Sequence, residues 1–393
     1  MLVLKKYLIN MATWRSSKRI GLQNRHSWVQ VPSWPQVMKI PPQPIAEIYP
    51  NNLSTGYQKN MIYKNILVTG GCGFIGSHFI RYLVDRYPNA NIVNVDLLTY
   101  CGNPENVKDV STHPRYKFYR ADIGDFKAMR DILNQHQIEC IVNFAAESDN
   151  NKAVLSPADF IRTNAFGTGI LLEAARQSET IKRFHHISTC EVFGQLPLKS
   201  KSKFKENSPY QPRTPYNASK ASGDLVAKSY YHTFGLPVTI SYCANNYGSH
   251  QFPEKVIPVF AIRALKNEPL PVFKSSGNKR EWIHVSDHCR AIDLILEKGK
   301  VGEAYNIGTG LEKTVTNIAD DILKILKKPQ TLKRVVPDRP GHDSRYLLDS
   351  SKMKKLGWKP KVSWKDGFAE TVNWYKDNSS WWEPLLAKSH SWK

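Results

Sequence analysis

Acidic residues are scarce in this chain: its 393 residues contain 34 Asp and Glu against 55 Lys and Arg, a formal net charge of +21 at pH 7. The sequence also lacks any apolar run of about 20 residues, the length that a membrane-spanning helix needs. The positive field favours anionic partners such as nucleotides. Lysines are spread along the whole chain, without an arginine-rich block or a zinc-finger spacing, so we expect no specific nucleic-acid binding. Because the long apolar run is missing, we also expect no membrane span.

Cysteine is infrequent too, and its six residues form no CxxC pair. This spacing argues against a disulfide scaffold and predicts free thiols in a reducing compartment. His185 and His186 are neighbours in a predicted strand, where successive side chains point to opposite faces, so they cannot chelate one metal ion. We therefore predict no metal site and a cytoplasmic location.

The first 60 residues differ in composition from the rest of the chain. They are rich in Lys, Arg, Ser, Trp and Pro, and their first acidic residue is Glu47. We expect residues 1–60 to form a basic, disordered extension; a mitochondrial targeting segment and translated sequence upstream of the true start are the alternatives. Met61 precedes the first predicted strand, so folding is expected to begin there. Residues 377–393 form a tail that either caps the fold or contacts a partner.

A glycine-rich turn, Thr69-Gly-Gly-Cys-Gly-Phe-Ile-Gly76, joins a β-branched run at residues 65–68 to a helical pattern at residues 74–86. This context is typical of a dinucleotide site: Gly70 or Gly71 permits the tight turn, Gly73 lets the backbone approach a pyrophosphate, and Gly76 allows close helix packing. A second predicted strand, residues 91–95, ends at Asp96. That carboxylate can accept hydrogen bonds from a ribose 2′-OH and would repel a 2′-phosphate, which favours NAD over NADP.

Strand and helix patterns continue to alternate along the chain, with further strands predicted at residues 116–121, 140–144, 183–188 and 238–242. The alternation predicts an α/β fold with a Rossmann-like, doubly wound parallel sheet over residues 61–245. Ligands bind at the carboxyl ends of such strands. The predicted cofactor-binding residues are Gly70, Gly73, Phe74, Ile75, Gly76, Asp96, Asp122, Ile123, Ala145, Ala146, Tyr216 and Lys220.

Tyr216 and Lys220 are four residues apart in a segment predicted to be helical from Thr214 to Phe234, so both project from one face. A nearby ammonium favours tyrosinate and is expected to lower the phenol pKa from about 10 towards neutrality. Such a tyrosine removes a hydroxyl proton as hydride leaves the same carbon. The preceding strand ends in Ser188-Thr189 and places a hydroxyl beside the tyrosine.

Together these motifs resemble the extended short-chain dehydrogenase/reductases. Further segments narrow the resemblance to the nucleotide-sugar 4,6-dehydratases, specifically those that act on dTDP-glucose, over about residues 61–375. The segments are Asn94-Val-Asp96, Leu98-Thr-Tyr-Cys-Gly-Asn103, Phe144-Ala-Ala-Glu-Ser148, Asn245-Asn-Tyr-Gly248, Gln251-Phe-Pro-Glu-Lys255 and Asp338-Arg-Pro-Gly-His-Asp343.

The resemblance implies a three-stage reaction. Tyr216 takes the 4-hydroxyl proton while NAD takes hydride from C4, water is lost across C5 and C6, and hydride returns to C6. In the family a Thr-Asp-Glu tripeptide performs the elimination, with Glu as the C5 base and Asp as the acid for the 6-hydroxyl. Here it reads Thr189-Cys190-Glu191, so the base is present and a thiol replaces the acid. The implied catalytic residues are Thr189, Cys190, Glu191, Tyr216 and Lys220.

The resemblance also implies a smaller carboxy-terminal substrate lobe, at residues 246–376 and interleaved with the cofactor domain. Matching residues predicted to contact the nucleotide sugar are Ser148, Asn246, Glu254, Lys255, Asn278, Arg280, Arg339 and His342. Guanidinium groups can engage phosphate oxygens bidentately. After Ser148 the family's His-Val-Asp-Arg becomes residues 149–152, Asp-Asn-Asn-Lys, which removes a histidine contact. The choice between dTDP-glucose and UDP-glucose stays open.

Two alternative functions remain at this point. One is another nucleotide-sugar enzyme on the same fold, an epimerase or decarboxylase; the other is an NAD-binding regulatory or catalytically impaired homologue, suggested by Cys190. The resemblance further implies a homodimer that pairs through a four-helix bundle, formed here by residues 155–177 and 214–234.

Overall fold

The computed structural model describes residues 61–275, 277–338, 341 and 343–389. A seven-stranded parallel sheet forms its centre. Its strands are β1 Asn65–Thr69, β2 Asn91–Val95, β3 Tyr116–Tyr119, β4 Cys140–Asn143, β5 Arg183–Thr189, β6 Val238–Cys243 and β10 Ala304–Ile307. They lie in the order β10-β6-β5-β4-β1-β2-β3. The order reverses direction at β1, which is the doubly wound topology that the alternation of patterns predicts, and the fold prediction is confirmed.

Helices cover both faces of this sheet, so most residues of its strands are buried, whichever side they face. In β1, Ile66 and Val68 pack into one apolar cluster and Leu67 into the other, as the two-residue period of a strand requires. The helices are α1 Phe74–Arg86, α2 Phe126–Gln135, α3 Asn150–Leu155, α4 Pro157–Ile161, α5 Thr168–Arg176, α6 Pro215–Phe234, α7 Val256–Leu265, α8 Val285–Lys298, α9 Val315–Ile325, α10 Ser351–Lys355, α11 Trp364–Asp377 and α12 Ser379–Leu386.

Two small sheets lie beyond β6 in the chain and form a lobe with its own apolar cluster around Phe260, Trp282 and Phe368. Their strands are β7 Asn245–Tyr247, β8 Leu270–Phe273, β9 Lys279–His284, β11 Glu312–Thr314 and β12 Lys333–Val336. The chain returns from this lobe to the large sheet through α8 and β10.

The first of the two long helices expected at residues 155–177 is interrupted. Ser156 has φ −141° and ψ 65°, and the helical run restarts at Pro157 and passes through a π-helical turn, Arg162–Gly167, before α5. The residue before a proline is sterically disfavoured in the helical region, whereas proline itself suits the first helical position. The second predicted helix is continuous as α6.

Within the described ranges no helix combines the length and the apolar character needed to cross a bilayer. The predicted extension at residues 1–60, and residues 390–393 of the predicted tail, lie outside the described residues.

Candidate active site

A cavity of about 620 Å³ opens at the carboxyl edge of the large sheet and extends under the small lobe. Strand ends contribute one wall, and residues from β7, β8 and β9 contribute the other. All twelve residues predicted to bind the cofactor line it. The tertiary fold therefore gathers groups that span 151 residues of sequence, from Gly70 to Lys220.

The glycine-rich turn owes its shape to positions where a side chain does not fit. Gly70 has φ +68°, a conformation that favours glycine, and a Cβ there would lie 2.7 Å from the backbone nitrogen of Ala145. A Cβ on Gly76 would lie 2.3 Å from the Gly70 carbonyl oxygen. Of the two candidates for the tight turn, Gly70 is thus the residue with left-handed backbone, while Gly71 packs against Asn94.

The amino terminus of α1 meets the conditions for binding an anion. Gly73 occupies the cap position without any side-chain cap, and Phe74 and Ile75 follow it at the cavity wall. The first N–H groups of a helix have no partner within the helix and carry the positive end of its dipole. A pyrophosphate placed here would satisfy them.

Asp96 lies at the end of β2, on the wall of the cavity and 9% exposed. Its Oδ1 accepts the Leu98 N–H at 2.8 Å and its Oδ2 accepts the Cys72 N–H at 2.9 Å. Burial raises the pKa of this carboxyl, and the two N–H donors oppose the rise. Each oxygen retains acceptor capacity for a ribose hydroxyl.

Tyr216 projects from the first turn of α6 towards Thr189, whose hydroxyl hydrogen-bonds it. The expected lowering of the Tyr216 pKa is not observed: burial and the charge of Glu191 raise it well above the usual value, against the Thr189 hydrogen bond. The Lys220 ammonium donates instead to the Ile187 carbonyl oxygen at 2.7 Å, and burial lowers its own pKa. The spacing of Tyr216 and Lys220 places both on one face of α6, but burial is the main cause of the pKa shift of each.

Glu191 and Cys190 diverge although they are adjacent. Glu191 lines the cavity, and its Oε2 accepts the Asn150 side-chain amide at 3.3 Å. Cys190 is 1% exposed and belongs to the apolar cluster beneath the sheet edge, with Phe193. It is not among the described residues that line the cavity. Burial, with a further contribution from Glu191, raises the pKa of its thiol well above the usual value.

The turn before α7 places Glu254 and Lys255 on the same cavity. The Lys255 ammonium lies 3.2 Å from Glu254 Oε1 and donates to the Ser148 carbonyl oxygen at 2.6 Å. Burial raises the pKa of Glu254 to about 7, although Lys255 and the Tyr100 hydroxyl oppose this. Tyr100 donates to Glu254 Oε1 at 3.1 Å and was not singled out from the sequence, although it lies in one of the matching segments.

The predicted residues of the substrate lobe divide into three groups. Asn246 and Arg280 line the cavity, and the Arg280 guanidinium lies 4.6 Å from the centre of the Tyr346 ring. Asn278 is absent from the described cavity lining; its amide instead donates to the Asp343 carbonyl oxygen at 3.1 Å. Arg339 and His342 lie outside the described residues.

Comparisons with known proteins agree with this geometry. A family model described as GDP-mannose 4,6 dehydratase matches residues 67–371. The dTDP-glucose 4,6-dehydratase of Streptomyces niveus is 46% identical over 325 residues, covering 81% of this chain and 95% of that protein. An Escherichia coli dTDP-glucose 4,6-dehydratase is 42% identical over 355 residues, covering 83% of this chain and 97% of that protein.

Solved structures give the same result. The dTDP-glucose 4,6-dehydratase of Streptomyces venezuelae with bound NAD superposes with a TM-score of 0.79 at 44% identity, covering 82% of this chain and 99% of that chain. UDP-glucose 4-epimerase of Thermotoga maritima reaches a TM-score of 0.74 at 31% identity, covering 80% and 99%. The chain therefore belongs to the dTDP-glucose 4,6-dehydratase family of extended short-chain dehydrogenases.

Proposed function

We propose that this protein is a nucleotide-sugar 4,6-dehydratase that converts dTDP-glucose to dTDP-4-keto-6-deoxyglucose with NAD as a recycled cofactor. The observation that carries the proposal is one cavity that holds both a dinucleotide turn and the groups needed for oxidation and elimination, Thr189, Glu191, Tyr216 and Lys220. The named relatives act as dTDP-glucose 4,6-dehydratases and support the choice of nucleotide. UDP-glucose is the alternative substrate.

The cofactor fits the residues that surround its proposed position. The uncapped α1 terminus would hold the pyrophosphate and Asp96 the adenosine ribose, while Asp122, Ile123, Ala145 and Ala146 would line the adenine and ribose path. When bound, NAD accepts hydride from C4 of the sugar and returns it to C6. Asp96 would repel a 2′-phosphate, which favours NAD over NADP.

Tyr216 is the proposed base for the 4-hydroxyl, assisted by Thr189. Its pKa is raised by burial and by Glu191, so proton removal depends on positive charge near the ring. The Lys220 ammonium, on the same helix face, supplies part of that charge. Glu191 is the proposed base for C5, because its carboxylate lines the cavity beside Asn150.

An epimerase is the second candidate function, because UDP-glucose 4-epimerase shares the fold. Epimerisation at C4 needs the oxidation machinery but no base at C5. Replacing Glu191 by Gln separates the two: the proposed dehydratase loses about 10²–10⁴-fold in turnover, whereas an epimerase would keep its rate.

Homodimerisation is also proposed. Ile161 and Phe166 on the helical run α4–α5 are 56% and 58% exposed, and Leu225 on α6 is 56% exposed. Exposed apolar side chains on two packed helices are suited to pairing with a second copy. The expected cytoplasmic location and the roles proposed for Arg339 and His342 stay predictions.

The test of function is incubation of the purified protein with dTDP-glucose and with UDP-glucose, followed by mass spectrometry for loss of water. Conversion of dTDP-glucose supports the proposal, and preferential conversion of UDP-glucose would change the nucleotide. Binding of NAD without conversion of either sugar would contradict it and favour a regulatory or impaired homologue.

A further inference from the structure

Elimination of water from the sugar needs a proton donor for the departing 6-hydroxyl, and the position that supplies it by family resemblance is Cys190. Its thiol lies in the apolar core, 1% exposed and apart from the described cavity wall. A thiol is a weak donor even when it is well placed. A positioned general acid is worth about 10²–10⁴-fold in rate, so another group in the cavity has to be considered.

Apart from Asp96 and Asp122, which are assigned to the cofactor, the carboxylic acids of the cavity differ in their partners. Glu147 forms an ion pair with Lys152 at 2.8 Å. Asp149 caps α3 by accepting the Asn151 N–H at 2.8 Å. Glu191 is the proposed base. Glu254 is the third glutamate of the described wall. It also pairs with a lysine, Lys255 at 3.2 Å, but its side chain is 2% exposed and burial raises its pKa to about 7.

Resting on the proposed function, we infer that Glu254 is the general acid that protonates the departing 6-hydroxyl, in place of the family's aspartate. Glu191 takes the proton from C5, and the C5–H electron pair forms the C5–C6 double bond. The C6–O bond breaks, its electron pair leaves with oxygen, and the Glu254 proton completes the water molecule. Lys255 contacts Glu254 Oε1 at 3.2 Å, and Glu191 is near enough for its charge to contribute to the raised pKa of Lys255.

The environment of Glu254 supports the protonated form that an acid requires. Burial is the main cause that raises its pKa, to about 7, so a large fraction of the carboxyl is protonated near neutral pH. The titratable groups that face it are Tyr100, Cys101, Asp149 and Lys255. Lys255 and Tyr100 lower its pKa and Asp149 raises it.

The protons gained and lost by the protein side chains balance over one turnover. Tyr216 gains the proton of the 4-hydroxyl, Glu191 gains the C5 proton and later returns it to C5, and Glu254 loses one proton to the water formed. The site returns to its starting state when Tyr216 has lost one proton and Glu254 has gained one.

The test compares two leaving groups in Glu254→Gln. Fluoride departs without a proton, so the 6-deoxy-6-fluoro analogue of dTDP-glucose bypasses the acid. We expect the variant to lose 100-fold or more in kcat on dTDP-glucose, and to convert the fluoro analogue within a few-fold of the wild type. An equal loss on both substrates would overturn the inference and leave Glu254 as a binding residue.

Three further variants serve as comparisons. Glu281 is a matched control, since it is buried with a pKa of about 7 but does not line the described cavity. Glu281→Gln and Cys190→Ala should leave the ratio of the two activities unchanged. If the fluoro analogue rescues Cys190→Ala or Asp149→Asn and not Glu254→Gln, the acid is that other residue.

A wild-type pH profile keeps the inference testable if Glu254→Gln does not fold. Turnover of dTDP-glucose should fall as pH rises through about 7, because the acid loses its proton, while turnover of the fluoro analogue should not. The same profile for both substrates would contradict the inference. If the wild type converts neither substrate while it binds NAD, the proposed function itself fails.

Discussion

At the scale of single residues, burial decides which groups can take part in the chemistry. Cys190 and Glu191 are neighbours in sequence, yet one side chain enters the apolar core and the other the cavity. Glu254 is 104 residues after Asn150 in sequence and still shares the cavity with it. Which groups of the site can donate or accept a proton therefore depends on side-chain direction and on long-range contacts as much as on residue type.

Gly76→Ala should weaken NAD binding. Its Cβ would lie 2.3 Å from the Gly70 carbonyl oxygen, so the turn that shapes the pyrophosphate site would have to shift. We expect at least a 10-fold weaker affinity in a fluorescence titration with NAD. Gly169→Ala is the control, because its Cβ would meet only the Val226 side chain at 3.6 Å. Unchanged affinity in Gly76→Ala would show that the turn is not the cofactor site.

At the scale of elements, α6 carries both proposed catalytic residues and the proposed interface. Thr214 caps its amino terminus by accepting the Asn217 N–H, and Gly235 ends it in the left-handed conformation. Tyr216 and Lys220 face the cavity, while Leu225 is exposed on the same helix.

Leu225→Glu should convert the proposed dimer into a monomer, because a buried, unpaired carboxylate at an interface is costly. Light scattering at micromolar concentration measures this directly. Val335→Glu is the control: Val335 is 73% exposed but lies on β12, away from α6. A wild type that is already monomeric would remove the dimer proposal.

The described part of the tail packs as a cap. Trp382 on α12 is 4% exposed, and its indole N–H donates to the Tyr375 carbonyl oxygen at 2.7 Å. Trp382→Ala should lower the free energy of unfolding by about 3 kcal/mol, the range for large aromatic deletions in cores. Denaturant unfolding measures the loss, and Trp382→Phe should lose less. No change in either variant would show that α12 does not contribute to the folding unit.

At the scale of the whole molecule, buried histidines make stability dependent on pH. Burial lowers the pKa of His78 and His288 to about 3 and that of His284 to about 4, from 6.5. The unfolded chain therefore binds more protons than the folded one between these values, so these groups remove stability as pH falls below about 6.5. Glu254 and Glu281 oppose this, because their raised pKa values favour the folded state at lower pH.

His185, His186 and His250 also have lowered pKa values, so the six histidines outnumber the carboxyl groups with raised pKa values, which are Asp96, Asp293 and Glu370 besides the two glutamates. We expect the thermal midpoint to fall between pH 6.5 and pH 5, each histidine contributing up to about 1.4 kcal/mol per pH unit. Differential scanning calorimetry across this range checks the sign. A midpoint that rises on acidification would mean that the carboxyl groups dominate.

Local patterns in the sequence determined the fold class and the cofactor turn. The predicted strands agree with the observed ones within two residues, because strand periodicity and glycine turns depend on near neighbours. Residues 155–177 were expected to be one helix from the family resemblance, which takes no account of the effect of Pro157 on Ser156.

Only the tertiary structure decided how the site is charged. The raised pKa of Tyr216, the burial of Cys190 and the meeting of Tyr100, Ser148, Glu254 and Lys255 all depend on contacts between distant parts of the chain. Sequence spacing states which residues share a helix face or a strand end. It does not show how far a group is buried away from water or which charges lie near it, and these two factors set the pKa of the group.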